Sequence, residues 1–183
     1  MFTLRLGDIT QCKTECIVNA SNPSGLGCFT PNHPCIDNAI HKWAGPNLLK
    51  ECEKLKGIPE GTAAMTKGHQ LPARFIIHAT GPNKIEDGYE NHNALRQTYK
   101  SILDLAKLNN ISEITFCLIS SGMYGFDKKA AINTQIESII SYMDPCKTNK
   151  FKPKIILNAF TKEEYGLYLE YFKTHNIHFR YVS

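Results

Sequence analysis

Apolar and polar residues alternate through Phe2–Leu6 (FTLRL), the period of a half-buried β-strand. Residues 16–19 form a short apolar run that reads as a buried strand entering a long loop. Beyond the loop, Ile36, Ala39, Ile40 and Trp43 recur at the spacing of one helix face, and Ala44-Gly45-Pro46 supplies a stop. Leu48, Leu49, Cys52 and Leu55 continue as a second short helix that ends at Gly57. Strands are predicted at 62–66 and at 75–80, the latter closed by Gly81-Pro82. Apolar positions at 95, 99, 102, 103, 105 and 106 mark an amphipathic helix over 95–108. A β-rich run at 114–119 leads through SSGMYGFD into a helix from about 128 to 143. A buried strand at 155–160, a helix at 163–173 and a last alternating strand at 178–182 complete the pattern.

Strands that alternate with helices predict a layered α/β sandwich around a largely parallel or mixed sheet. Ligands of such folds sit beyond the carboxyl ends of the strands, where the unusual loops 19–35 and 120–127 both fall. No repeat or linker divides the 183 residues, so a single domain over 1–183 is expected. The formal net charge of +4 favours an anionic ligand slightly. No basic run or basic-aromatic stripe accompanies it, so no nucleic-acid partner is expected. Lys50, Lys54 and Lys56 read as a solvated helix face. No signal-peptide core or membrane-length apolar run is present, and no membrane partner is expected. The seven cysteines (12, 16, 28, 35, 52, 117 and 146) are an odd number, several of them within strand-like or helix-like patterns. They predict reduced thiols and a cytoplasmic setting. Cys117, within ITFCLIS, is assigned to packing.

The loop carries the most informative chemistry. Cys28, His33 and Cys35 lie within eight residues, just ahead of Asp37. Two thiols and an imidazole suit Zn²⁺, and three protein ligands leave a fourth position open, as in catalytic sites. Short Cys/His clusters also occur as ordinary loop residues, so spacing alone leaves both readings open. Asp37 falls off the apolar stripe of Ile36, Ile40 and Trp43, so its carboxylate can turn toward the metal loop. Asp8, in Gly7-Asp8-Ile9-Thr10 after the first strand, can accept from an exocyclic amine such as adenine offers; Gly-Asp at a strand exit is also a common turn. Gly122 and Gly125, three apart ahead of a helix, suit backbone contact with a diphosphate, though an ordinary βα turn has the same composition. Neither a P-loop nor a dinucleotide-binding glycine fingerprint is present. Phe160, ending its strand, can stack on a base or pack in the core. His41 and Trp43 are assigned to packing on the sheet, and His69, His92 and His175 to exposed or capping positions. No Ser-His-Asp or Cys-His relay competes with the metal reading.

In order and spacing, GDIT (7–10), VNASN (18–22), IDNAIHKWAG (36–45), LPARFIIHATGP (71–82) and SSGMYGF (120–126) resemble a macrodomain, the ADP-ribose-binding fold, over essentially the whole chain. The resemblance implies a three-layer α/β/α sandwich with a central mixed sheet. GCFTPNHPCIDNAIH (27–41) resembles, more narrowly, the loop of zinc-containing macrodomains, which remove mono-ADP-ribose from proteins. Those relatives carry an extra N-terminal helical segment, whereas these residues begin at the first strands. By position, the resemblance implies adenine contacts from Asp8 and Ile9 with Phe160 against the ring. It implies diphosphate contacts from Ser121, Gly122, Met123, Tyr124, Gly125 and Phe126, and distal-ribose contacts from Asn22. One zinc would be held by Cys28, His33 and Cys35 as a Lewis acid, lowering the pKa of a water or ribose hydroxyl toward ~7. Asn22 would orient the ribose and Asp37 would act as general base or fix a water. The expectation is therefore a monomeric, zinc-dependent hydrolase acting on mono-ADP-ribosylated protein. The alternatives are a non-catalytic ADP-ribose reader, or a hydrolase of small derivatives such as the 1″-phosphate or an O-acetyl ester. The presence of Asn22, Asp37 and all three metal ligands favours the enzyme.

Overall fold

Each predicted strand and helix appears in the computed structural model, which describes residues 1–144 and 151–182. In chain order the elements are β1 (Phe2–Leu6), β2 (Cys16–Ala20), α1 (Ile36–Ala44), α2 (Pro46–Cys52), β3 (Ala63–Lys67), β4 (Phe75–Ala79), α3 (Lys84–Asp87), α4 (His92–Leu108), β5 (Glu113–Phe116), α5 (Lys128–Met143), β6 (Lys154–Ala159), α6 (Lys162–Thr174) and β7 (Phe179–Val182). Short 3₁₀ turns occupy Ile9–Gln11 and Glu53–Leu55. The strands form one seven-stranded sheet in the order β3-β4-β2-β5-β6-β1-β7. β3 is antiparallel to β4 and the other pairs are parallel. Helices cover both faces, giving the three-layer α/β/α sandwich. α1 and α2 pack over β2 and β3, while α4, α5 and α6 pack against one another and onto the sheet.

The apolar strand centres explain this arrangement. Leu4, Ile17, Val18, Ile76, Ile77, Ile114, Phe116 and Leu157 are all fully buried. Strands buried on both faces need continuous apolar runs, and each such side chain contributes roughly 1.5–3 kcal/mol on burial. Four neighbouring parallel strands, β2, β5, β6 and β1, end side by side, so the loops that follow them share one edge of the sheet.

Several boundaries differ from the pattern for local reasons. β5 leaves the ladder at Phe116 rather than at 119 because side chains take the next backbone groups. Gln135 Nε2 donates to the Cys117 carbonyl at 2.8 Å, and Ile119 N donates to Tyr99 Oη at 3.3 Å. α4 begins three residues before Leu95 because Asn91 caps it, accepting from Ala94 N. α3 has no apolar period and was not expected; Asn83 caps it and Gly88 ends it.

The buried face of α1 also differs. It consists of Asp37, Ile40, His41 and Ala44, not Ile36, Ile40 and Trp43. Asp37 is 4% exposed and Trp43 52%. The helix is therefore rotated from the phase that hydrophobicity suggests, because Asn19 on β2 receives Asp37 from below. Among the other assignments, Cys117 packs in the core as expected. Lys50, Lys54, Lys56, His69 and His175 are exposed, and His175 ends α6. His92 is half-buried, bonded to Thr134 and beside Glu90. Cys146 lies outside the described residues. Among the described residues, no helix is long and apolar enough to cross a membrane.

Candidate active site

The loops after β1, β2, β5 and β6 surround a cavity of about 600 Å³. At one end the β1 strand exits through Gly7 to Asp8. Asp8 Oδ1 accepts from Thr10 N at 2.8 Å and Thr10 Oγ1 at 2.7 Å, capping the 3₁₀ turn that carries Ile9. Asp8 and Ile9 line the cavity, with Asn158, Phe160 and Glu164. Phe160 is 70% exposed, since β6 ends one residue earlier, and its N–H donates to Glu164 Oε2 at 2.9 Å. An exposed ring held by its backbone beside a carboxylate suits a flat, amine-bearing ligand.

The loop after β5 forms one side. Ser121, Gly122, Met123 and Tyr124 line the cavity, together with Ser120, whose backbone is left-handed at φ 65°. Gly125 and Phe126 do not line it. Their N–H groups close the loop on itself, bonding Gly122 O at 3.0 Å and Ser120 O at 3.1 Å, and the Phe126 ring is buried against His92. The N-terminus of α5 is likewise occupied, by its own cap: Asp127 accepts from Ala130 N at 2.9 Å. An anion at this loop would therefore be met by residues 120–124, without that helix end.

The loop after β2 forms the other end. Asn22 Nδ2 donates to Gly27 O at 3.1 Å and to Asp37 Oδ2 at 3.3 Å, while Asn22 Oδ1 accepts from Ser24 N at 3.0 Å. Asn22 lines the cavity, yet both ends of its amide are engaged in folding the loop down onto Asp37. Gly27 makes that approach possible: at φ +91° it lies over His41, and a Cβ there would meet the ring at 2.7 Å. Asn38 ties the outer loop, donating to Cys28 O at 2.8 Å and Thr30 O at 3.2 Å.

Asp37 is the most perturbed acid of the cavity. Burial pushes its carboxyl up to about 6, and the hydrogen bond from Asn19 opposes the rise. Asn19 Nδ2 donates to Asp37 Oδ1 at 2.7 Å. His41 Nε2 stands 3.6 Å from the same oxygen, and neither ring nitrogen has a hydrogen-bond partner. Burial lowers the His41 pKa, which disfavours the charged imidazolium beside Asp37.

Cys28, His33 and Cys35 are half-buried at the mouth of this end, their donor atoms all within 4.8 Å of one another. Cys28 Sγ lies 3.1 Å from His33 Nδ1, and Cys35 Sγ accepts from Asn38 N at 3.4 Å as the N-cap of α1. Tetrahedral zinc with ordinary Zn–S and Zn–N bonds sets such donors roughly 3.6 Å apart, so this soft donor set fits the ion with small shifts. A second group of donors, His41, Cys52 and His78, is fully buried, but both His78 nitrogens are already bonded, to Asn19 and Thr66. It is no rival metal site.

The structure thus gathers Asp8, Ile9, Asn22, Cys28, His33, Cys35, Asp37, Ser121, Gly122, Met123, Tyr124 and Phe160 around one cavity. It adds Trp43, assigned from sequence to packing on the sheet, and Lys42, Asn158 and Glu164. Asn19 and His78 were also missed. Their signal was present as single polar residues inside the apolar strands CIVNA and FIIHA. One cavity offering a base platform, an anion loop, a perturbed carboxyl and three soft donors can hold an extended nucleotide and handle a proton or a cation at its far end.

Comparison with known proteins agrees with this geometry. The Macro domain family model matches residues 18–135. A protein of Staphylococcus aureus named protein-ADP-ribose hydrolase is 36% identical over 173 residues, covering 91% of this chain. The chain spans 64% of that relative's length. An ADP-ribose glycohydrolase of Xenopus laevis is 37% identical over 164 residues, covering 88% of this chain and 37% of the relative. Among solved structures, a mutant Oceanobacillus iheyensis macrodomain with ADPR superposes with a TM-score of 0.84 at 33% identity, covering 94% of this chain and 92% of that one.

Proposed function

The chain belongs to the Macro domain family, and from that membership we propose that it is a zinc-dependent hydrolase that removes mono-ADP-ribose from modified proteins. The observation that carries this reading is the placement of Asp37 and the Cys28/His33/Cys35 donors at the opposite end of one cavity from Asp8 and Phe160. The named activities of the Staphylococcus aureus and Xenopus laevis relatives support it.

In this reading Asp8 accepts from the adenine amine and Phe160 stacks on the ring, while residues 120–124 meet the diphosphate. Binding energy from these remote groups fixes the distal ribose over Asp37. Cys28, His33 and Cys35 would hold one zinc, which supplies Lewis acidity and so a nucleophile at neutral pH. Asp37, with Oδ1 held by Asn19, presents Oδ2 and acts as general base or orients a water. Asn22 exchanges part of its contact with the loop for the ribose hydroxyls.

The test is incubation of purified protein with substrates mono-ADP-ribosylated on defined side chains, with released ADP-ribose measured by mass spectrometry. Release by the wild type, lost on chelation and in Asp37→Asn, supports the proposal. Binding of ADP-ribose with no release from any substrate would make the protein a reader instead.

A further inference from the structure

Behind Asp37, polar side chains occupy positions where apolar ones would pack as well. Asn19 and His78 are 0% exposed and Thr66 is 2% exposed, amid Ile17, Ile76 and Ile77. Buried polar groups of this kind add little stability over apolar replacements, so their arrangement calls for another reason. Asn19 and His78 are register partners on β2 and β4, and their side chains leave the same face of the sheet. Thr66, on β3, is paired with Ile76, which places it diagonally beside His78.

The bonds between them have one direction each. The Thr66 hydroxyl donates to the Lys67 carbonyl at 3.2 Å, so its lone pairs face His78 Nε2, 2.9 Å away. Nε2 therefore carries the ring proton, and Nδ1 is an acceptor. Asn19 Nδ2 lies 3.0 Å from that Nδ1 and 2.7 Å from Asp37 Oδ1, and gives one N–H to each. Flipping the amide would set its oxygen against both acceptors. It keeps this orientation although Asn19 Oδ1 has no partner of its own.

We propose that Thr66, His78 and Asn19 form a positioning relay that fixes the Asp37 carboxylate beneath the cavity, with Oδ2 as its working oxygen; this rests on the hydrolase reading above. Thr66 sets the His78 tautomer, His78 sets the Asn19 amide, and Asn19 sets Asp37. Burial and the neighbouring His41 drive the His78 pKa down to about 3, so the ring stays neutral and the order of donors is kept.

Thr66 tests the relay best, because it is the member farthest from Asp37 and does not line the cavity. Thr66→Val keeps the volume and removes the hydroxyl, and Thr66→Ser restores it. Turnover of mono-ADP-ribosylated protein, ADP-ribose affinity by calorimetry, and the His78 tautomer by long-range ¹⁵N–¹H spectra are measured for all three proteins. The relay predicts an Nε2–H tautomer in the wild type. In Thr66→Val it predicts a kcat lowered roughly three- to thirty-fold with KM and ADP-ribose affinity unchanged, recovered in Thr66→Ser. A wild-type Nδ1–H tautomer, wild-type kcat in Thr66→Val, or loss of ADP-ribose affinity together with kcat each overturns it. If the wild type binds ADP-ribose but turns over no substrate, the hydrolase reading fails and the relay's role with it. If the wild type turns over and Thr66→Val turns over equally, the relay alone fails.

Discussion

Gly27→Ala is a small change whose consequence can be worked from the site. Gly27 sits at φ +91°, and its added Cβ would lie 2.7 Å from the His41 ring. His41 is 5% exposed, with the Phe29 ring 5.5 Å away and the His78 ring 6.2 Å away, so it has no solvent to swing into. The left-handed backbone costs a residue bearing Cβ about 1–2 kcal/mol. Overpacking against a confined ring adds about 1–3 kcal/mol. Three hydrogen bonds hold the loop down: Asn22 to Gly27, and Asn38 to Cys28 and Thr30. At about 0.5–1.5 kcal/mol each they match the penalty in size, so the loop should lift rather than the sheet melt. Lifting separates Cys28 from His33 and Cys35 and frees Asn22 from Asp37. The expected outcome is hydrolysis lowered ~10-fold or more, faster amide exchange in the loop, and ADP-ribose binding through the adenine end retained. Adding His41→Ala should relieve the clash and leave the backbone term, a coupling of about 1–3 kcal/mol in loop opening. Wild-type exchange and turnover in Gly27→Ala, or no coupling to His41→Ala, would refute the reasoning.

Cys35→Ser should lose stoichiometric zinc by elemental analysis while melting near wild type, because a hydroxyl keeps the cap on Asn38 N that Sγ provides. Asp8→Asn keeps an acceptor for Thr10 but presents an amide in place of the second carboxylate oxygen. Calorimetry should show ADP-ribose affinity weakened by roughly 1–3 kcal/mol. Asp37→Asn should bind ADP-ribose and release it from modified protein ~10²-fold more slowly; near-wild-type turnover would leave Asp37 as a first-turn acid of α1 only. His78, with its pKa pushed down to about 3, folds in the neutral form, so its contribution is complete above the unfolded value near 6.5 and declines as pH falls toward 3. By about pH 5 that loss is about 2 kcal/mol, and it should be missing from the melting profile of His78→Asn.

The fold was legible because each strand and long helix carries its period over enough residues to outweigh local exceptions. What the period could not show was where backbone groups find side-chain partners. Residues 117–119 are as apolar as a strand, yet Gln135 and Tyr99 take their backbone groups. The same limit applies to the loop SSGMYGF. Its glycines suggested an open anion cradle over its full length. Nothing in the composition reveals that Gly125 and Phe126 bond back to Gly122 and Ser120, or that Asp127 fills the helix end.

At the Asp37 end of the cavity the structure brings together the residues singled out from the sequence but turns the helix to another phase, and the two have one cause. Hydropathy placed Ile36, Ile40 and Trp43 inward and left Asp37 off the buried stripe, free to turn toward the metal loop. The fold instead buries Asp37, His41 and two polar strand residues together, and Trp43 turns to the cavity wall. A helix phase is a sum over side chains, and hydrogen bonds to a carboxylate from Asn19 and Asn22, at roughly 1.5–3 kcal/mol each, can outweigh one indole left half exposed. The polar residues inside CIVNA and FIIHA were the visible sign that this face of the sheet was not built for packing alone. Where strand interiors carry an Asn and a His in register, the helix above them should be phased by its acid before its aromatics.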